Sequence, residues 1–196
     1  MKLTGILLAL FACMLLQACS SMSLNANTGP KVYRNTPWVL LPSINNTEAP
    51  QAGGRLDSIA ATEMRTHGIN ISLYSVSSQQ DDGMFESADR RAQEAALTWA
   101  KQQGFRYALA GSVDEWHYKA GLDGEPAVGV SLSIIDVSSG QAIWSGSVAG
   151  TGNGQQAISA LAQDLVNNLL NQALAQSTTL PKDGKEKDQV AAGAAR

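Results

Sequence analysis

The hydrophobic and polar positions in the first half of the chain predict two units of a strand followed by a helix. Residues 37–43 (PWVLLPS) form a short apolar run bounded by prolines, as expected of a strand buried on both faces. Residues 69–76 (INISLYSV) alternate apolar and polar side chains, which indicates a second strand. Each run is followed by apolar residues at helical spacing, over 48–68 and 86–104, and each helical stretch ends at a glycine. Because helices connect them, the strands are expected to be parallel.

The second half of the chain predicts a meander of strands closed by a helix. Three strand-like segments, residues 105–118, 127–137 and 141–150, are separated by turn-forming residues. Apolar residues at helical spacing then occupy 153–174. The predicted order is βαβαβββα. The predicted fold class is α/β (α+β), a single mixed sheet packed by helices.

The hairpin around the sequence DVSSGQ allows its register to be predicted. A two-residue loop at 139–140 would place apolar residues opposite serines on one face, which is unfavourable. A three-residue loop at 138–140, with Gly140 in the left-handed conformation, places Ile134 opposite Trp144 instead. We predict this second register, with Trp144 as a core residue.

The N-terminal segment predicts export and lipidation. Lys2 precedes an apolar run, residues 3–16, that is too short to span a membrane and suits a signal peptide. The tetrad Leu-Gln-Ala-Cys at 16–19 resembles the bacterial lipobox, in which cleavage precedes the cysteine and acyl chains such as palmitate modify it. We expect residues 1–18 to be removed and Cys19 to anchor the protein in a membrane. An ordinary secretory signal that happens to end in cysteine is the alternative.

Composition divides the mature chain into three parts. Residues 19–36 are rich in Ser, Asn and Thr without hydrophobic periodicity, which predicts a tether. Residues 177–196 lack aromatic side chains and clusters of large apolar ones, which predicts a disordered tail. One globular domain is expected between them, over 37–176. The chain has 17 acidic and 14 basic residues, and this acidity argues against nucleic acid as a partner.

A polar stretch at the end of the third predicted strand is the main candidate for a functional site. Its four carboxylates are Asp114, Glu115, Asp123 and Glu125. They can be interpreted as a surface for a cationic partner, as a solvated turn, or as the acid and base of an enzyme that acts on a sugar. We expect a binding surface and no catalytic residue, with the acidic side chains of residues 81–86 as the next candidates.

Two aromatic residues in the same stretch break the alternation of their strand. Tyr107 and Val113 share one face, whereas Trp116 and Tyr118 fall on the other. Either a β-bulge near Asp114 re-aims the strand, or the two aromatics lie on the second face and need a covering surface. A neighbouring subunit or a lipid headgroup layer would provide one, since amphipathic aromatics favour both. We therefore predict both residues at a membrane or subunit interface.

Motifs for a metal, a nucleotide or a catalytic triad are not recognised in the sequence. His117 has no cysteine or second histidine nearby, and His67 suits a helix C-terminus. Residues 150–154 (GTGNG) lack the Lys-Ser or Lys-Thr of a phosphate loop and fail the dinucleotide spacing. We expect neither a cofactor nor a metal.

Residues 38–64 and 99–147 resemble the PelC family, outer-membrane lipoproteins of Pel polysaccharide export, and more distantly periplasmic lipoproteins of the CsgG and LpoB type. The most specific parts are the strand ending in Leu-Pro, the segment GSVDEW and the turn GLDGEPAVG. The resemblance implies a homo-oligomeric ring at the periplasmic face of the outer membrane. In such a ring, an acidic funnel would collect a cationic exopolysaccharide and pass it to a β-barrel porin for biofilm formation. Ser20 after the lipobox cysteine, where an aspartate would favour inner-membrane retention, agrees with this location.

Two other classes of function remain open from the sequence. An LpoB-like activator of a peptidoglycan synthase would share the anchor and the fold, but it needs a tether long enough to cross the periplasm. Residues 19–36 would reach at most roughly 60 Å when fully extended, which disfavours this class. A hydrolase is the other alternative, and a sugar-release assay would detect it.

Overall fold

The computed structural model describes residues 21–74, 85–121 and 124–181, and of residues 85–87 only the backbone. The strands are β1 (Ser21–Ala26), β2 (Trp38–Leu40), β3 (Ile44–Asn45), β4 (Ile71–Leu73), β5 (Tyr107–Tyr118), β6 (Pro126–Asp136) and β7 (Gln141–Thr151). The helices are α1 (Ala52–Thr66), α2 (Phe85–Gln102) and α3 (Ile158–Ala173).

The strands form one mixed sheet in the order β1-β7-β6-β5-β2-β4, with the short strand β3 paired to β5. Strand β2 is parallel to β4 and to β5, as expected of strands connected by helices. Strands β5, β6, β7 and β1 are antiparallel neighbours. The predicted fold class and the order βαβαβββα are thus confirmed, with β1 and β3 as additional strands.

Helices cover the two faces of the sheet unequally. On one face, α1 and α3 pack over the sheet and bury the main core, which includes Leu56, Leu109 and Leu169. On the other face, α2 covers only the β2–β5 side, where Ala96 and Ala100 belong to a smaller apolar cluster. Among the described residues, no helix covers the rest of this second face across β6, β7 and β1. We call that uncovered area the open face.

The predicted register of the β6–β7 hairpin is confirmed, whereas its loop is longer than predicted. Ile134 lies opposite Trp144, and Trp144 is 6% exposed in the main core. Gly140 adopts the left-handed conformation with φ 73°. The register shifts between Ile134 and Ile135, so that Asp136 pairs with Gln141 and the loop spans residues 137–140. The bulge follows from packing, because it keeps Trp144 on the core face.

The N-terminal segment does not form the tether that its composition predicts. Residues 21–26 form the edge strand β1 along β7, and Leu24 and Ala26 pack against the main core. Gly146 on β7 permits this contact, because a Cβ there would lie 2.8 Å from that of Ala26. Three apolar side chains at alternate positions, Met22, Leu24 and Ala26, were too short a pattern to predict a strand, since the propensity of the surrounding polar residues favours a coil.

Further contacts attach both ends of the described part of the chain to the domain. The indole N–H of Trp144 donates to the carbonyl of Asn27 at 2.9 Å, and the Gly29 N–H donates to that of Gln172 at 2.8 Å. The first residues of the predicted tail also pair, since the Thr178 N–H donates to the Val32 carbonyl at 2.9 Å. The rest of the predicted tail, the signal segment and Cys19 lie outside the described residues. Within the described part of the chain, none of the helices combines the length and hydrophobicity needed to cross a bilayer.

Candidate functional site

A β-bulge in β5 shapes the polar stretch that the sequence singles out. Val113 pairs with Val130, but Glu115 pairs with Gly129, so that Asp114 is the extra residue. Beyond the bulge the alternation of faces is reversed, and Trp116 returns to the core side. Asp114 and Glu115 consequently lie together at the open face, although they are consecutive along the strand.

Next to the bulge, the open face carries a groove of about 780 Å³. Small side chains form its floor, and three carboxylates, one histidine and several hydroxyl groups surround it. The polar lining residues are Ser23, Asn25, Thr47, Glu48, Asp114, Glu115, His117, Ser131 and Ser147. This combination offers hydrogen-bond donors and acceptors together with negative charge, in a place with few large apolar side chains.

Hydrogen bonds fix the carboxylate of Asp114 in position. Its Oδ1 accepts from the Asn46 side chain at 2.8 Å and from the Ser112 hydroxyl at 3.4 Å. Its Oδ2 accepts from the Ser131 hydroxyl on β6 at 3.0 Å. These bonds connect three segments of the chain, so Asp114 stabilises the structure of the groove and also contributes to its negative charge.

Glu115 and Glu48 accept fewer hydrogen bonds from the described chain than Asp114 does, and their carboxylates are therefore freer to bind a partner. Glu115 Oε1 lies 3.0 Å from His117 Nε2, and both side chains are about half exposed. Glu48 enters from the loop before α1, which turns at Asn45, whose Oδ1 accepts from the Thr47 N–H and hydroxyl. Glu48 is not among the site residues predicted from the sequence, and the Asn-x-Thr turn was the only local signal for it.

The structure separates the predicted acidic residues into two groups. Asp114 and Glu115 share the groove, whereas Glu125 lies in the turn before β6, with its carboxylate 3.8 Å from the ammonium of Lys119. Asp123, which was predicted beside them, lies outside the described residues, as do Asp81, Asp82 and the side chain of Glu86.

The two predicted interface aromatics differ in exposure. Trp116 is 4% exposed and belongs to the main core, which corrects the idea that it stands on the second face. The bulge explains the error, because it reverses the alternation on which that idea depended. Tyr118 is 53% exposed, and its hydroxyl accepts from the Ile158 N–H at 3.1 Å. Of the two, only Tyr118 is exposed enough in this chain to meet a membrane or a neighbour.

Asp57 is a further unusual carboxylate, located on α1 beside the sheet. It accepts from the main-chain N–H of Ser43 at 3.1 Å. Burial raises the pKa of Asp57 to about 6, against the smaller opposing effect of its hydrogen bonds with Ser43, and the negative charge of Asp89 adds to the rise. Among the described residues, there is no group of three or more His, Cys, Asp or Glu side chains that could hold a metal ion.

The fold is that of small bacterial lipoproteins. A lipoprotein from Neisseria meningitidis superposes with a TM-score of 0.53 at 19% identity, covering 71% of this chain and 99% of its own. A scan of protein-family models and a search of curated proteins find no match to the chain.

More specific similarity comes from PelC. The PelC dodecamer from Paraburkholderia phytofirmans matches at 32% identity and a TM-score of 0.67, covering 81% of this chain and all of that one. A single-residue variant of that PelC, also a dodecamer, matches at 33% identity and a TM-score of 0.63, covering 77% and 98% of the two chains. The chain therefore belongs to the PelC family.

Proposed function

We propose that the protein is an outer-membrane lipoprotein that assembles into a closed ring and guides a cationic polysaccharide to an outer-membrane porin for export. The observation that supports this most strongly is the similarity to a dodecameric PelC over the whole of that chain. Copies related head to tail must close into a ring or grow into a filament, and a dodecamer is a closed assembly. Cys19 would hold the ring at the periplasmic face of the membrane.

The groove on the open face is the proposed contact with the polysaccharide. Glu48, Asp114 and Glu115 give it negative charge, and serine hydroxyls surround them, as a polymer of amino sugars and hydroxyl groups would require. A single exposed carboxylate contributes little on its own. In a ring, the same groups recur on every subunit, and a long polymer that contacts several grooves gains affinity from each further contact.

The turn around Glu125, with Asp123, is proposed as a second acidic segment of the same passage. It is the weaker candidate of the two, because the ammonium of Lys119 lies 3.8 Å from the Glu125 carboxylate and offsets its charge. The two groups of acids can be separated by mutation, since they lie on different segments of the chain.

Binding of a partly deacetylated chito-oligosaccharide to the full-length lipoprotein tests the proposal. Glu48→Gln combined with Glu115→Gln removes two charges and preserves side-chain size. Because exposed charge pairs contribute about 0.2–1 kcal/mol each, we expect binding by each subunit to weaken by about 2- to 30-fold. Wild-type binding should also weaken as added salt shortens the screening length.

Two controls make the outcome specific. Glu94→Gln changes an exposed carboxylate on α2 and should leave binding unchanged, and a fully acetylated oligosaccharide of the same length should bind weakly. If Glu94→Gln weakens binding as much as the double variant does, the groove is not the contact. Glu125→Gln should weaken binding less than the double variant, because Lys119 offsets the charge of Glu125. The proposal also makes the protein a guide without enzymatic activity, so release of sugars by purified protein would contradict it.

A further inference from the structure

The C-terminal end of β5 and the N-terminal end of β1, the strand that follows the predicted anchor, lie at the same end of the domain. Ser21, the first residue of β1, pairs with Thr151 at the end of β7. Cys19 is two residues earlier, so the acyl chains would attach within about 7 Å of this edge. Helices α1 and α3 both begin at the same end, because each follows a strand that runs toward it. Two helix N-termini therefore lie on the side of the domain next to the anchor.

A surface depression of about 810 Å³ lies between the first turns of these two helices. Its lining residues are Gln51, Gly54, Arg55, Ser58, Ile59, Trp116, Ile158 and Ser159. The single charged member is Arg55, which is exposed and has no hydrogen-bond or ion-pair partner among the described side chains. In an acidic protein, this local excess of positive charge is unusual, and it favours an anion.

The first turns of both helices offer unused donors to the depression. Neither α1 nor α3 has a side-chain cap or an acidic residue in its first turn. The main-chain N–H groups of Gly54 and Ser159 donate no hydrogen bond to any described residue. A Cβ added at Gly54 would meet nothing within 4 Å, so the space in front of this helix turn is open. The partial positive charges of the two helix ends add to that of Arg55.

Trp116 provides an independent indication that something binds here. Trp116 borders both this depression and the groove on the open face. Its side chain belongs to the main core on the face covered by α1 and α3, so the indole lies on the side of the depression, and it is only 4% exposed. Its indole N–H is buried and has no hydrogen-bond acceptor within the described chain. A buried donor without an acceptor costs stability, which an oxygen of a bound ligand would recover.

We propose that this depression binds the phosphate group of a net-anionic lipid headgroup. A phosphate oxygen can accept from main-chain N–H groups, from a guanidinium and from an indole, and the two helix N-termini favour its charge. The membrane is the nearer source of phosphate, because the predicted anchor leaves the domain at this end. The exposed Tyr118 at the same end has the amphipathic character typical of the membrane interface. Like the proposed function, the inference rests on acylation of Cys19, but it requires neither the polysaccharide nor the ring.

The test is amide hydrogen exchange of full-length acylated protein in nanodiscs. Discs of phosphatidylcholine alone are compared with discs that also contain phosphatidylglycerol. In the anionic discs we expect exchange at Gly54 and Ser159 to slow by about tenfold. Arg55→Gln should lose most of that protection. Arg91→Gln, which removes an exposed charge from α2 on the other face of the sheet, should retain it.

The possible outcomes separate the sources of the phosphate group. If inorganic phosphate added to neutral discs protects both amides as fully as phosphatidylglycerol does, the site takes free phosphate and the headgroup assignment is wrong. Protection that is equal in neutral and anionic discs, as a neighbouring subunit would give, overturns the proposal, as does protection that survives Arg55→Gln. Because no sugar is present, failure of the polysaccharide proposal would not produce any of these results.

Discussion

Asp57 makes a testable link between burial and pH-dependent stability. Its carboxylate is held against the main-chain N–H of Ser43, and burial raises its pKa to about 6 from the ordinary value of 3.8. The protonated form is therefore favoured in the folded protein relative to the unfolded chain. The contribution of Asp57 to stability is fully present below the unfolded pKa and is lost as the pH rises through about 6.

The size of the effect follows from the shift. A displacement of about two pKa units corresponds to about 3 kcal/mol, of which about 2 kcal/mol falls between pH of about 4.5 and 7.5. Asp57→Asn cannot ionise, yet its amide oxygen can still accept from Ser43. The difference in the free energy of unfolding, variant minus wild type, should therefore rise by about 2 kcal/mol between these two pH values.

Urea denaturation of both proteins at the two pH values measures this difference. Asp136→Asn is the matched control, because the hydrogen bond from the Ser138 hydroxyl lowers the pKa of Asp136 and its titration falls below this pH interval. Since this contribution is already fully present above the ordinary value of 3.8, the difference between the Asp136 variant and wild type should stay nearly constant over the same pH interval. A difference for Asp57→Asn that is independent of pH would show that its carboxylate is not desolvated as the structure indicates.

Two further predictions concern the N-terminal part of the chain. Gly29→Ala should destabilise the protein by about 1–3 kcal/mol, because a Cβ at this position overlaps the main-chain carbonyl of Ala173. Urea denaturation measures this loss, and an unchanged midpoint would show that the N-terminal segment is not docked there. Cys19→Ala should leave the precursor unacylated and release the protein from the membrane fraction in cells that lack its partners, and a variant that still fractionates with the outer membrane would disprove the anchor.

Local patterns of apolar and polar residues were sufficient to predict the central strands of the sheet. The apolar run at 38–40 and the pairing of Ile134 with Trp144 are fixed by short-range hydrophobic matching, which the sequence displays directly. The edge strand β1 was not predictable in this way. Its stability depends on Gly146 and on Leu169 of α3, which are far away in sequence.

The candidate site was predictable in composition but not in geometry. The acidic stretch was identified from its residue types, but the extra residue Asp114 decides which side chains share a face. The alternation of residues along the strand allowed two positions for Trp116, one in the core behind a bulge and one on the second face of the sheet. Only the packing of the core selects the bulge. Glu48 was missed because a loop distant in sequence brings it to the groove, and the turn at Asn45 does not by itself indicate where that loop packs.

Export by living cells tests the central claim most directly. In a strain that secretes the cationic polysaccharide, the gene for this protein is deleted and replaced by the wild type or by the Glu48→Gln and Glu115→Gln double variant. Secreted and periplasmic polymer are then measured, together with the abundance and assembly of the protein. We predict that the wild type restores secretion, whereas the double variant assembles normally but retains polymer in the periplasm. Normal secretion by an assembled double variant, or by the deletion strain itself, would contradict the account.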